Sequence, residues 1–157
     1  MRVVARDGVA KLSHRSVAAE AAVPKSAATY HFASLDDLLV AALGSQTETL
    51  VAAMPQVPPG SDLRWFADAL VGLFRDNRDR VVAGYELYLL AARRPTLRPG
   101  VRPWLDLLAD LARQHTDDPT RSRACVAVVD GYFLQHLAGG TVPDPDELER
   151  LLGAALG

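Results

Sequence analysis

Between Ser13 and Phe32 the chain reads SHRSVAAEAAVPKSAATYHF. After Pro24 come a cation, Lys25, two hydroxyls, Ser26 and Thr29, and then Tyr30 and His31, all within seven residues. On one short helix such side chains offer hydrogen bonds from a surface with little bulk, which suits approach to base edges in a major groove. No other residue group suggests chemistry as readily. His14, His31, His115 and His136 are dispersed, and Cys125 stands alone. The sequence holds no nucleophile–base pair, HExxH run or phosphate-cradling loop, so no catalytic residue, metal site or cofactor is assigned and no enzyme is expected.

The elements around that stretch must present it. Ala18 and Ala22 lie four apart, and Val17, Val23 and Ala28 can fill the angle between two short helices. Small side chains at a crossing let backbones approach closely. Pro24 lacks an amide hydrogen and fits the first turn of a new helix, so the break is encoded. The expected product is a helix-turn-helix whose second helix carries Lys25, Ser26, Ala27, Thr29, Tyr30 and His31. The same spacing also suits an alanine-rich helical hairpin with no ligand.

Composition sets the bounds. At 157 residues with 49% hydrophobic content, the chain can bury a sizeable core in one compact domain or module. A lone cysteine excludes an internal disulfide and fits a reducing compartment. The opening MRVVARDG carries Arg2, Arg6 and Asp7, unlike a signal peptide, and no apolar run approaches the roughly 20 residues of a membrane span. A soluble, cytoplasmic protein without a membrane partner is expected. Net charge is −2 overall, but residues 1–45 hold five basic against four acidic side chains, net +1, which leaves −3 for the rest. That asymmetry permits nucleic-acid binding without demanding it.

Apolar residues recur at helical spacing and no segment alternates at period two, so the fold class is all-α. Helices are expected at about 2–7, 14–21, 25–31, 35–53, 62–76, 79–93, 101–115, 120–138 and 146–156. Pro and Gly cluster at 55–60, 95–103 and 139–145 as punctuation. Ser13, Ser34, Ser61 and Thr120 are the expected N-caps, with Ser34-Leu35-Asp36-Asp37 resembling a capping box. Three short helices followed by long ones suggest a small tri-helical head at 1–45 and a larger helical body at 46–157.

The run LSHRSVAAEAAVPKSAATYHFASLDDLLVAAL resembles the DNA-binding head of the TetR (tetracycline-repressor-like) family of transcription regulators. YELYLLAARRP (85–95) and VVDGYFLQHLAG (128–139) resemble its ligand-binding, dimer-forming body. The resemblance implies that Arg15 contacts a base or phosphate, that Lys25, Ser26 and Ala27 face bases, and that Thr29, Tyr30 and His31 meet phosphate or the groove wall. It makes Val17, Ala18, Val23, Phe32 and Leu38 the core of the head. Three positions depart from the family pattern. Ala22 stands where a turn glycine is usual, at a cost of about 1 kcal/mol if the backbone there takes a positive φ. Thr29 holds the usual position of a phosphate-binding tyrosine, leaving that role to Tyr30. Leu35 replaces a phosphate-binding lysine and is followed by Asp36 and Asp37. Met1 falls inside the family's first helix, so only part of that helix is expected here.

For the body, the resemblance implies a cavity for a small apolar or aromatic effector, lined by Phe66, Leu70, Tyr85, Trp104, Tyr132 and His136. Glu86 either reaches solvent, pairs with Arg93, or supplies a buried carboxylate to a ligand. On spacing alone, Val126, Val129, Phe133 and Leu137, with Leu148, Leu151 and Leu152, form apolar stripes suited to a four-helix homodimer face. The reading is a ligand-responsive repressor that binds a near-palindromic double-stranded DNA operator as a homodimer. The alternative is a helical dimeric ligand-binding or interaction module with weak or lost DNA binding.

Overall fold

The structure is a computed structural model and describes residues 1–53, 58 and 60–157. The Pro- and Gly-rich punctuation expected at 55–60 lies largely outside the described residues. Among the described residues the chain forms nine α-helices and no strand: α1 (Arg2–Asp7), α2 (His14–Glu20), α3 (Lys25–His31), α4 (Leu35–Ala53), α5 (Leu63–Asp76), α6 (Arg78–Leu90), α7 (Arg98–Ala112), α8 (Pro119–Gly139) and α9 (Pro145–Leu156). Single 3-10 turns at Val9–Lys11 and Pro95–Leu97 were not anticipated from periodicity. Each is too short to show a pattern.

Caps explain where the helices start. Ser13 and Ser16 make a reciprocal box, each hydroxyl accepting the other's amide, at the start of α2. Ser34 and Asp37 repeat the arrangement before α4. At two other ends the cap differs from the expected residue. Asp62, not Ser61, accepts from the Trp65 amide before α5. Asp118, not Thr120, caps α8, because Pro119 at the first helical position needs no amide partner.

The contacts group the chain into two compact units, Met1–Thr49 with Asp79–Pro103, and Leu50–Arg78 with Trp104–Gly157. The expected head at 1–45 falls wholly within the first unit, and most of α6 joins it there. Val3, Val4, Leu12, Leu38, Leu39, Ala42 and Leu43 share one buried cluster with Ala83, Leu87, Ala91 and Leu97. The second unit buries Phe66, Leu70, Val71, Phe74, Leu108, Val129, Phe133, Leu148 and Leu152. Its α9 packs on both α5 and α8. No helix among the described residues is long and apolar enough to cross a membrane.

Candidate nucleic-acid interface and cavity

The corner between α2 and α3 is built from small residues and a strained turn. Ala18 and Ala28 are buried at 3% and 5% exposure, one from each helix. The chain reverses through Ala22 at φ +54°, a left-handed conformation that costs an alanine about 1 kcal/mol or more. The Val23 amide donates to Ala18 O (3.0 Å), and Pro24 then launches α3. His14 Nε2 is hydrogen-bonded to Phe32 O at 2.8 Å, tying the start of α2 to the end of α3. That histidine is structural. Val17 and Phe32 pack partly buried on the core, and Leu38 is buried, whereas Val23 is 43% exposed because the turn carries it outward.

With the alanine seam inward, the opposite face of α3 is bare. Lys25, Ser26, Thr29, Tyr30 and His31 are all exposed, Tyr30 at 86%, and Ala27 is half-buried. Arg15 on α2 is exposed as well. Among the described residues no carboxylate pairs with Arg15 or Lys25, whereas Arg2 and Arg6 are held by Glu20 and Asp7. Thr29 Oγ1 turns back to donate to Ser26 O (3.0 Å) on its own helix. The acids that follow are also engaged. Asp37 accepts the Ser34 amide, and Asp36 accepts the Thr96 hydroxyl (2.8 Å) and pairs with Arg94. These partners hold the Asp36 carboxyl below its ordinary range.

The second unit contains a cavity of about 30 Å³ lined by Phe66 and Leu70 of α5, Leu108 and Leu111 of α7, His115, and Cys125 and Val129 of α8, with Leu63, Ala112, Leu152 and Leu156 completing it. Phe66 and Leu70 were expected at such a site. The other expected lining residues have different tasks. Trp104 Nε1 donates to Asp130 (3.2 Å). Tyr132 Oη accepts the Asp144 amide at 2.9 Å, joining α8 to the start of α9. His136 bonds Thr141 Oγ1 (2.6 Å) at the C-terminal end of α8. Tyr85 and Glu86 belong to the first unit, where Glu86 is exposed and accepts the Val9 amide at 2.9 Å. Its carboxylate fastens the turn after α1.

The sequence reading names His115 only among the dispersed histidines, not as part of a cavity. It continues the apolar stripe Leu108, Leu111, Ala112 at helical spacing, and that was the available signal. Its ring sits edge to face with Phe66, centroids 4.9 Å apart. Burial pushes the Cys125 thiol up, so it is a packing group rather than a nucleophile. Among the described residues no three His, Cys, Asp or Glu side chains are grouped to hold a metal ion.

The expected dimer-face residues divide. Val129, Phe133, Leu148 and Leu152 lie in the interior of the second unit at 5% exposure or less, while Val126 and Leu137 are half-buried and Leu151 is 39% exposed. Side chains already enclosed by their own subunit have little surface left for a second copy. The outer side of α8 carries Ala124, Ala127, Val128, Gly131 and Ala138 instead.

An all-helical chain with an outward helix of the helix-turn-helix type is the architecture of a transcription regulator. Residues 61–157 match the model of the tetracyclin repressor-like C-terminal domain. The chain is 30% identical over 173 residues to the HTH-type nicotine-responsive transcriptional repressor HdnoR of Paenarthrobacter nicotinovorans, covering 99% of this chain and 89% of that protein. Its fold is similar to that of the multidrug binding protein EbrR complexed with ethidium, with a TM-score of 0.85 and 45% identity over 98% of this chain and 91% of that one. A TetR-family member from Streptomyces coelicolor A3 matches with a TM-score of 0.86 and 44% identity, covering 99% and 92%. This chain belongs to the TetR family of tetracycline-repressor-like transcriptional regulators.

Proposed function

We propose that this regulator is a cytoplasmic, homodimeric repressor that holds a near-palindromic operator and releases it when a small apolar or aromatic effector enters its helical body. Residues 1–45 are the DNA-binding head and 46–157 the ligand-binding and dimerisation body. Lys25, Ser26 and Ala27 face base edges, Arg15 meets a base or phosphate, and Thr29, Tyr30 and His31 meet phosphate or the groove wall. The observation that carries this reading is the bare polar face of α3 standing opposite the Ala18–Ala28 seam. The ligand-responsive part is supported by relatives named as nicotine-responsive and as multidrug-binding.

A two-fold dimer sets two copies of α3 about one DNA turn apart, roughly 34–36 Å. The small outer residues of α8, with exposed Leu151 of α9, support close helix approach between subunits. For release, effector must bind the non-DNA state more tightly than the DNA-bound state, since equal affinity shifts nothing. The test is a mobility shift of the upstream DNA of the gene. A specific, salt-sensitive complex is expected, and Lys25→Ala should cost it about 1–3 kcal/mol and relax the specificity at the base pair that Lys25 faces. A full-length chain that forms no specific complex at low salt overturns the reading.

A further inference from the structure

The cavity of the second unit carries one polar atom that nothing satisfies. His115 Nε2 is sealed from solvent without a hydrogen-bond partner. Every other lining residue is Leu, Phe, Ala, Val or Cys, with no carboxylate and no cation among the described residues. A volume of about 30 Å³ admits roughly one water, yet a buried water needs two to four polar partners and would find a single imidazole nitrogen. A charged guest fits worse still, because it would lose its hydration without gaining a counter-charge. What suits an apolar wall with one unsatisfied nitrogen is an uncharged molecule with one hydrogen-bonding group.

We propose that this cavity is the seat of the effector and that His115 Nε2 selects a small neutral aromatic molecule bearing one hydroxyl. The inference rests on the ligand-responsive reading above and adds to it the charge class of the ligand and the recognising atom. A phenolic hydroxyl both donates and accepts, so it matches the imidazole in either tautomer. The edge-to-face contact between Phe66 and His115 limits rotation of the imidazole and supplies aromatic surface beside the nitrogen. Because the resting cavity is smaller than any such molecule, Leu108, Leu111 and Leu156 must yield as it enters. Occupancy is therefore coupled to the spacing of α7 and α9, which is what an effector site requires.

Isothermal titration of the full chain with phenol, with toluene as the near-isostere lacking the hydroxyl, and with ethidium as a permanently charged aromatic tests this. Wild type should bind phenol about tenfold or more tighter than toluene, because the unsatisfied nitrogen discriminates. The ratio should fall to near one in His115→Phe and be largely retained in His115→Gln. Equal binding of phenol and toluene by wild type, a ratio that survives His115→Phe, or ethidium displacing phenol overturns the proposal. Should His115→Phe fail to fold by circular dichroism, the wild-type and His115→Gln ratios decide. Mobility shifts on the same preparations separate the two readings. A specific DNA complex indifferent to phenol overturns this assignment and leaves the regulator standing, whereas no complex at all strikes the regulator reading and leaves the calorimetric ratio to judge His115.

Discussion

The two units of the chain are held together by different means. In the first, α1, α2 and α3 have six or seven residues each, and α2 and α3 bury only one side chain apiece, Ala18 and Ala28. In the second, α5, α8 and α9 run to 14, 21 and 12 residues, and α5 alone buries six side chains. A two-turn helix cannot remove enough apolar surface from water to fix its own position. The first unit compensates with polar ties between elements: His14 to Phe32 O, Glu20 to Arg2 and Arg6, Glu86 to the Val9 amide, and Asp36 to Thr96 and Arg94. Keeping α3 lightly buried is what leaves its polar face free. The second unit also has polar ties, Arg64 to Asp146 and Glu149 and Tyr132 to Asp144, but its longer helices add much more aromatic and aliphatic packing, around Phe74, Phe133 and Leu148.

The contrast is broken most directly at Phe74, which is 2% exposed with its ring 5.0 Å from that of Phe133. Phe74→Ala should destabilise the protein by about 3–5 kcal/mol in chemical denaturation. A loss under about 1 kcal/mol would mean that the second unit does not depend on this packing. In the first unit the corresponding cut is smaller. Glu86→Ala removes the acceptor for the Val9 amide and should cost about 1 kcal/mol, with Glu86→Gln retaining most of the stability because an amide oxygen still accepts. Equal effects of Glu86→Ala and Glu86→Gln would show that the bond to Val9 is not what the carboxylate contributes.

The same contrast explains what was legible in the sequence. Helix positions and the α2–α3 corner were readable because they rest on local rules: apolar periodicity, capping serines and the placement of Pro24. The Ser13 and Ser34 caps were identified in this way, whereas Asp62 and Asp118 were missed in favour of the hydroxyl residues beside them. The lining of the cavity was not legible in local patterns. All six expected lining residues came from the family resemblance; Phe66 and Leu70 line the cavity of the second unit, while Trp104, Tyr132 and His136 hydrogen-bond to Asp130, Asp144 and Thr141 and Tyr85 lies in the first unit. Glu86 shows the reason. Its partner is the amide of Val9, 77 residues away, and no local pattern announces a side-chain bond to a backbone group at that separation. Val129, Phe133, Leu148 and Leu152 illustrate a second limit, since periodicity marks an apolar stripe but not whether it faces the subunit's own core or another chain.

A gain is expected at the corner itself. Ala22 holds φ +54° in an exposed turn, so its methyl group carries backbone strain with no packing to lose. Ala22→Gly relieves that strain, partly offset by the greater freedom of glycine in the unfolded chain. The net should be a stabilisation of about 0.5–1 kcal/mol, read as a higher denaturation midpoint. A lower midpoint would show that the turn is not strained at this position.

The smallest effect concerns acid. Asp7, Glu20 and Asp36, whose carboxyls are held below their ordinary values by hydrogen bonds and neighbouring arginines, all lie in the first unit. For Asp36 the Thr96 hydroxyl is the leading cause and Arg94 the next. A carboxyl with a depressed pKa in the folded state adds stability at pH values above its ordinary 3.8, and that contribution disappears as pH falls from there through the folded value. Acid should therefore loosen the first unit before the second. Trp65 and Trp104 both belong to the second unit, so their fluorescence should hold to lower pH than the helical circular dichroism, which reports both. Asp36→Asn keeps an oxygen to accept from Thr96 but removes the charge that meets Arg94. Its stability should be slightly lower at pH 7 and should fall less steeply between about pH 5 and pH 2 than that of the wild type. Both groups are more than a third exposed, so the difference should also shrink in high salt. Parallel acid curves for the two proteins, or fluorescence and circular dichroism changing together, would remove the distinction between a first unit that leans on its carboxylates and a second that leans on its packing.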